Sequence, residues 1–139
     1  MNPLSVVPQI ASKRILIADD AASARDLVRS ILGRSGYEVF EAEDGEEALE
    51  SATRLQPDLV ILDLQMPKLD GCSVASTLRS MPSFQETPIM ALSAGISNME
   101  PAQLHRCGFS AALAKPISPA KLRSTIIDIF DTMDAQEES

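Results

Sequence analysis

Apolar and polar positions along this chain follow two rhythms in turn. Short runs rich in β-branched residues, "RILIADD" (14–20), "YEVFEA" (37–42), "LVIL" (59–62), "TPIMALSA" (87–94) and the small-residue run "SAALAK" (110–115), read as strands. Between them the apolar positions recur at helical spacing. "AASARDLVRSILGRSG" places Leu27, Ile31 and Leu32 on one face and stops at Gly33 or Gly36. "DGEEALESATRLQ" opens with Asp44 three residues before Glu47, a capping-box spacing, and carries Ala48, Leu49 and Ala52. Asp70-Gly71 begins a helix with Val74, Leu78 and Met81. Ser97 and Glu100 bracket the start of a short helix ending near Cys107-Gly108. Ser118 caps a last helix with Pro119 at its first position and Leu122, Ile126, Ile127, Ile129 and Phe130 along it.

Strands that alternate with helices on short connections predict parallel βαβ units, and runs such as "LVIL" suit strands covered on both faces. Right-handed crossovers then favour an α/β, doubly wound, five-stranded parallel sheet of flavodoxin-like type with strand order 2-1-3-4-5. Residues 13–132 form this one domain. Residues 1–12 read as a loose leader, and 133–139 as an acidic tail that frays.

Composition narrows the classes of function. A chain of 139 residues with a formal charge of −8 repels phosphate backbones and shows no basic stripe with interleaved aromatics, so direct nucleic-acid binding is not expected. No run of 18 apolar residues or secretory signal is visible, so no membrane span is expected and the predicted location is the cytoplasm. Cys72 and Cys107 stand far apart without neighbouring His or Cys ligands and are read as reduced residues, in neither a zinc site nor a disulfide. His105, the sole histidine, reads as a solvated helix residue, and the methionines at 81, 90, 99 and 133 as packing.

The chemistry gathers where the strands end. In a doubly wound sheet ligands bind beyond the carboxyl ends of the strands, and those ends carry Asp19 and Asp20 after the first strand, Asp63 after the third, Ser93 after the fourth and Lys115 after the fifth. Three carboxylates meeting there need a cation or a shared proton. A hard divalent ion with oxygen ligands, Mg²⁺ with Mn²⁺ as a substitute, is the natural relief. Lys115 and Ser93 complete a cradle for a phosphoryl group, and Asp63, between the Asp19–Asp20 pair and the lysine, is placed to attack phosphorus and form an acyl phosphate.

The segments "ILIADD", "LVILDLQMPKLDG", "PIMALSA" and "LAKPI", in this order and spacing, resemble the receiver domain of two-component response regulators over roughly residues 13–132. The resemblance implies that Asp63 takes a phosphoryl group from a histidine kinase or a histidine phosphotransfer protein and that the product alters binding to a downstream protein target. It implies Mg²⁺ at Asp20, Asp63 and the backbone carbonyl of Gln65, with Asp19 acting through a coordinated water. It puts Ser93 and Lys115 on the phosphoryl oxygens, a cis bond before Pro116, and no enzymatic activity beyond the domain's own phosphoryl transfer and dephosphorylation. Relatives of this kind carry a switching aromatic three residues before the lysine. Here that position is Ala112, so the aromatic part of the switch is expected to be absent and movement to involve Ser93 and residues 94–109. Three alternatives stay open: a flavin-binding flavodoxin, which "ADDAAS" would oppose by charge; an aspartate-nucleophile phosphatase, which Gln65 disfavours; and a docking receiver that is no longer phosphorylated.

Overall fold

The computed structural model describes residues 13–94 and 100–138, with the side chains of Ser93 and of residues 134–138 outside that description. The leader and Ser97 therefore lie outside the described residues, as does Met99. Five parallel strands form one sheet in the order β2-β1-β3-β4-β5, with β1 at Arg14–Ala18, β2 at Glu38–Ala42, β3 at Leu59–Asp63, β4 at Ile89–Ser93 and β5 at Ala111–Ala114. The helices between them are α1 (Ala22–Arg34), α2 (Gly45–Leu55), α3 (Gly71–Arg79), α4 (Pro101–Cys107) and α5 (Pro119–Glu138). The expected order is the observed one. One element was not foreseen, a single 3-10 turn at Pro82–Phe84 that buries Phe84.

Alternate residues of each strand feed two cores, because successive side chains leave a strand on opposite faces. Leu16, Val60, Leu62 and Ile89 pack on one face with Ala48, Ala52, Val74, Leu78 and Leu104 from α2, α3 and α4. Ile15, Ile17, Leu59, Ile61, Met90 and Leu92 pack on the other with Val28, Leu32, Leu122, Ile126 and Phe130 from α1 and α5. At 25 cal/mol per Å² each fully covered aliphatic side chain stabilises the fold by roughly 2 kcal/mol. Two positions differ from the sequence reading. Leu27 is 41% exposed and Ile127 is 50% exposed. Their neighbours Val28 and Ile126 take the inward positions, since a helix turning 100° per residue can bury either of two adjacent apolar residues.

Local signals set the boundaries. Asp44 accepts the Glu47 N–H at 2.8 Å at the start of α2, and Asp70 accepts the Ser73 N–H at 2.8 Å at the start of α3. Glu100 and Gln103 form a reciprocal cap on α4, and Ser118 Oγ accepts from the Lys121 N–H at 3.3 Å on α5. Gly108 ends α4 with φ of 108°, a backbone region that side chains disfavour. Two expectations are corrected here. The backbone of α5 continues through Glu138, so the acidic segment expected to fray is helical. Cys72 and Cys107, expected to be reduced, are joined in a disulfide with Cα atoms 5.2 Å apart. The packing of α3 against α4 brings together two residues whose distance in sequence concealed the contact.

Arg79, in the last turn of α3, ties the neighbouring turns together. Its guanidinium donates to the carbonyls of Phe84 and Thr87 at 2.6 Å each and of Gly108 at 3.0 Å. Burial pulls its pKa below the ordinary arginine value.

Candidate functional site

Strand register brings the candidate residues to one edge. Ala18 pairs with Leu62, Asp63 with Leu92, and Ser93 with Ala114, so the carboxyl ends of β1, β3, β4 and β5 lie level. The residues that follow, Asp19 and Lys115, therefore emerge beside Asp63. Asp19 is wholly buried and Asp63 is 5% exposed, whereas Asp20 is open to solvent.

Asp19 is fixed from several sides. Its N–H donates to the Ala42 carbonyl at 3.1 Å, and its Oδ1 accepts the Ala21 N–H at 2.9 Å. Its own carbonyl accepts from Arg25 Nη1 at 2.6 Å, while Arg25 Nε donates to Glu41 Oε1 at 3.0 Å. Arg25, one turn into α1, thus clamps the loop that carries both aspartates. No motif or spacing in the sequence marked Arg25, because one of its contacts is a backbone carbonyl and the other a glutamate on a different element, Glu41 of β2.

Asp63 Oδ1 accepts the Gln65 N–H at 3.2 Å. Lys115 Nζ stands 3.3 Å from Asp63 Oδ2 and 2.8 Å from Asp19 Oδ2. The closer contact lies off the direction a hydrogen bond needs, so buried Asp19 Oδ2 has an ionic neighbour but no hydrogen-bond partner. Burial raises the pKa of Asp63, and the Asp19 charge adds to this, against the opposing Gln65 hydrogen bond and Lys115 charge. Burial pulls the Lys115 ammonium down, but its close contacts with the Asp19 and Asp63 carboxylates prevail and hold it above the ordinary lysine value.

One oxygen from each of Asp19, Asp20 and Asp63 lies within 4.8 Å of the others. Three carboxylates gather beside one ammonium, which leaves the cluster negative. An all-oxygen set that stays negative after pairing with its one ammonium fits a hard divalent cation. No backbone hydrogen bond among the described residues occupies the Gln65 carbonyl, on the loop just after Asp63.

The remaining candidates divide into those placed and those not described. The backbone of Ser93 ends β4 level with Ala114, but its side chain lies outside the described residues. The Lys115–Pro116 peptide bond is cis. Ala112 is exposed on β5 and lines a groove of about 350 Å³ with Leu104, His105 and Phe109. Phe109 is buried in the core, and Tyr37 packs on Phe130 with ring centroids 5.7 Å apart, so neither takes the place of the missing aromatic.

The start of α3 is packed on the same strand end. A Cβ on Gly71 would stand 2.5 Å from the Asp63 carbonyl oxygen and 2.9 Å from Leu64 Cα, both main-chain atoms. Glycine at this position therefore sets how closely the helix approaches Asp63.

Known proteins share this fold. Residues 15–127 match the family described as the response regulator receiver domain. The alkaline phosphatase synthesis transcriptional regulatory protein PhoP of Bacillus subtilis (strain 168) is 37% identical over 115 residues, covering 83% of this chain and 47% of that protein. The chain thus spans about half the length of the curated relatives it matches. Among solved structures, the chemotaxis response regulator CheY4 of Vibrio cholerae superposes with a TM-score of 0.81 at 31% identity, covering 86% of this chain and 99% of that one. The receiver domain of sensor histidine kinase PA1611 from Pseudomonas aeruginosa PAO1, described with a magnesium ion coordinated in its active site cleft, superposes with a TM-score of 0.76 at 30% identity, covering 83% and 94%.

Proposed function

We propose that this chain, which belongs to the response regulator receiver domain family of two-component signalling, accepts a phosphoryl group on Asp63 from the phosphohistidine of a histidine kinase or histidine phosphotransfer protein. The observation that carries the reading is the sharing of Lys115 between Asp63 and the buried carboxylate of Asp19. That geometry supports a site waiting for positive charge on one side and for phosphoryl oxygens on the other.

In the transfer, an Asp63 carboxylate oxygen attacks phosphorus as the P–N bond to the imidazole breaks. The bonding pair stays with the imidazole nitrogen, and an acyl phosphate forms on Asp63. Lys115 passes from its carboxylate partners to a phosphoryl oxygen, and the Gln65 N–H holds the carboxylate in place. Asp20, Asp63 and the Gln65 carbonyl would hold Mg²⁺, with Asp19 reaching it through a water. The ion's contribution when bound is to neutralise negative charge on the phosphoryl oxygens. Ser93 is assigned a hydroxyl donor's role toward the same oxygens. Hydrolysis of the acyl phosphate by water returns the carboxylate and orthophosphate, and a protein target reads the difference between the two states. No helix among the described residues is long and apolar enough to cross a membrane.

Incubation with Mg²⁺ and acetyl phosphate followed by intact-mass measurement tests this reading. Wild type should gain one phosphate and Asp63→Ala none, with circular dichroism verifying that the variant is folded. Absence of any addition to wild type, or addition to the variant, would overturn the assignment.

A further inference from the structure

Cys72 is the second residue of α3 and Cys107 the last of α4, so their disulfide joins two helices on one flank of the sheet. We propose that this pair is a thiol–disulfide exchange site whose oxidation state sets how far α4 can separate from α3.

The two helices are anchored very unequally. The first residue of α3, Gly71, rests on the main chain of Asp63, and the helix buries Val74, Ala75 and Leu78. The seven residues of α4 bury one side chain, Leu104, while Pro101, Ala102, Gln103, His105 and Arg106 face solvent. A helix that short does not hold its own shape in water, and with so little apolar contact it belongs to the parts of a fold that open most readily. Besides the disulfide, the seam near its end is held by Ser76 Oγ donating to the Cys107 carbonyl at 3.3 Å and Arg79 Nε donating to the Gly108 carbonyl at 3.0 Å. The covalent link is the one contact in this seam that a change of redox conditions can remove.

The fold does not need the bond for its stability in the way small disulfide scaffolds do, because apolar clusters fill both faces of the sheet. Cys72 and Cys107 pack at the rim of one cluster and are partly exposed, and exchange takes place at cysteines that solvent reaches. The partner for exchange is a low-molecular-weight disulfide of the glutathione class. One cysteine thiolate attacks a sulfur of that disulfide and expels a thiol, leaving a mixed disulfide. The second cysteine thiolate attacks the protein-bound sulfur and expels the other thiol. Two protein thiols are oxidised, one external disulfide is reduced to two thiols, and the two protons leave with them; a dithiol reverses the sequence. The consequence for signalling rests on the phosphoacceptor reading: α4 follows directly on the segment after Ser93, so the oxidised form would damp its displacement.

The test uses the full chain, equilibrated in glutathione mixtures from fully reduced to fully oxidised, without a phosphoryl donor. Alkylation with iodoacetamide and intact mass should count two free thiols at the reduced end and none at the oxidised end, in both directions of the titration. Amide hydrogen exchange over residues 100–108 should be at least about fivefold faster in the reduced form, with β1 and β3 unchanged. The Cys72→Ser, Cys107→Ser double variant should exchange at the reduced rate under every condition. A thiol count that does not respond to glutathione, or equal exchange of 100–108 in the two forms, would overturn the proposal. Neither readout involves Asp63, so failure of phosphorylation and failure of this site are separately visible.

Discussion

Asp19 and Asp63 each direct an Oδ2 at the same ammonium, 2.8 Å and 3.3 Å from Lys115 Nζ, and no second basic side chain pairs with either among the described residues. Two buried carboxylates on one cation are a like-charge strain that either a metal or loss of one charge relieves. Asp63→Asn should therefore raise the metal-free Tm at neutral pH by roughly 3 °C. Mg²⁺ at about ten times its Kd should raise the wild-type Tm by roughly 4 °C through binding to the folded state, and Asp20→Ala should remove that rise. Differential scanning fluorimetry across a Mg²⁺ titration measures all three, and a wild-type Tm indifferent to millimolar Mg²⁺ would remove the carboxylates as a metal site.

Arg25 holds the Asp19 carbonyl and is itself held by Glu41. Groups that orient metal ligands from outside the coordination sphere usually matter by about 10- to 100-fold in affinity. Arg25→Met, which keeps the aliphatic stem, should weaken Mg²⁺ binding by about tenfold while leaving the circular dichroism spectrum unchanged. Equal Mg²⁺ affinity in the two proteins would show that the loop holds its shape without the clamp.

Gly71→Ala forces a Cβ against the Asp63 carbonyl and Leu64 Cα, and main-chain atoms have no rotamer by which to retreat. The expected loss is about 2 kcal/mol, as for other overpacked sites, with slower phosphorylation by acetyl phosphate. Urea unfolding gives the first quantity and intact mass the second. A variant as stable as wild type would mean that α3 slides freely on β3.

Burial raises the Tyr37 pKa above its ordinary value of 10.0, with the Asp131 charge adding to the effect. The folded chain then keeps a proton that the unfolded chain releases, so stability should fall as pH rises from about 10 through the higher folded value. Tyr37→Phe retains the ring against Phe130 and lacks the proton. The difference between the two urea midpoints should therefore change above pH 10 in favour of the variant and stay constant below pH 9. Parallel profiles over the whole range would contradict the sign.

Ala112 lacks a side chain that could turn between two positions, and the groove beside it is lined from α4 as well as β5. On addition of beryllofluoride and Mg²⁺ to the reduced protein, amide exchange over 100–109 should change more than over 111–114. The reverse pattern would show that β5 carries the response without an aromatic.

What the sequence revealed follows the reach of each interaction. Asp44, Asp70 and Gly108 act within four residues of themselves, so the helix boundaries they set could be read directly. The level strand ends that bring Asp19, Asp63 and Lys115 together follow from parallel βαβ topology, which hydrophobic periodicity reveals. Arg25 on a carbonyl, Arg79 on three carbonyls and Cys72 against Cys107 depend on how particular helices settle, and no periodic pattern records that. The choice of Val28 over Leu27 for the core depended on helix rotation, which a sequence with both residues apolar leaves open.

Arg79 spends a rigid fork of donors on two chain reversals, the one before β4 that holds the Phe84 and Thr87 carbonyls and the one after α4 that holds the Gly108 carbonyl. These reversals are thereby cut to matching lengths. A single inserted residue in either of them would pull a carbonyl off the guanidinium and leave a half-buried cation short of partners, and lysine, a point donor, could not span the gap. Length variation among descendants of this chain is barred from these turns and must find its room elsewhere on the surface.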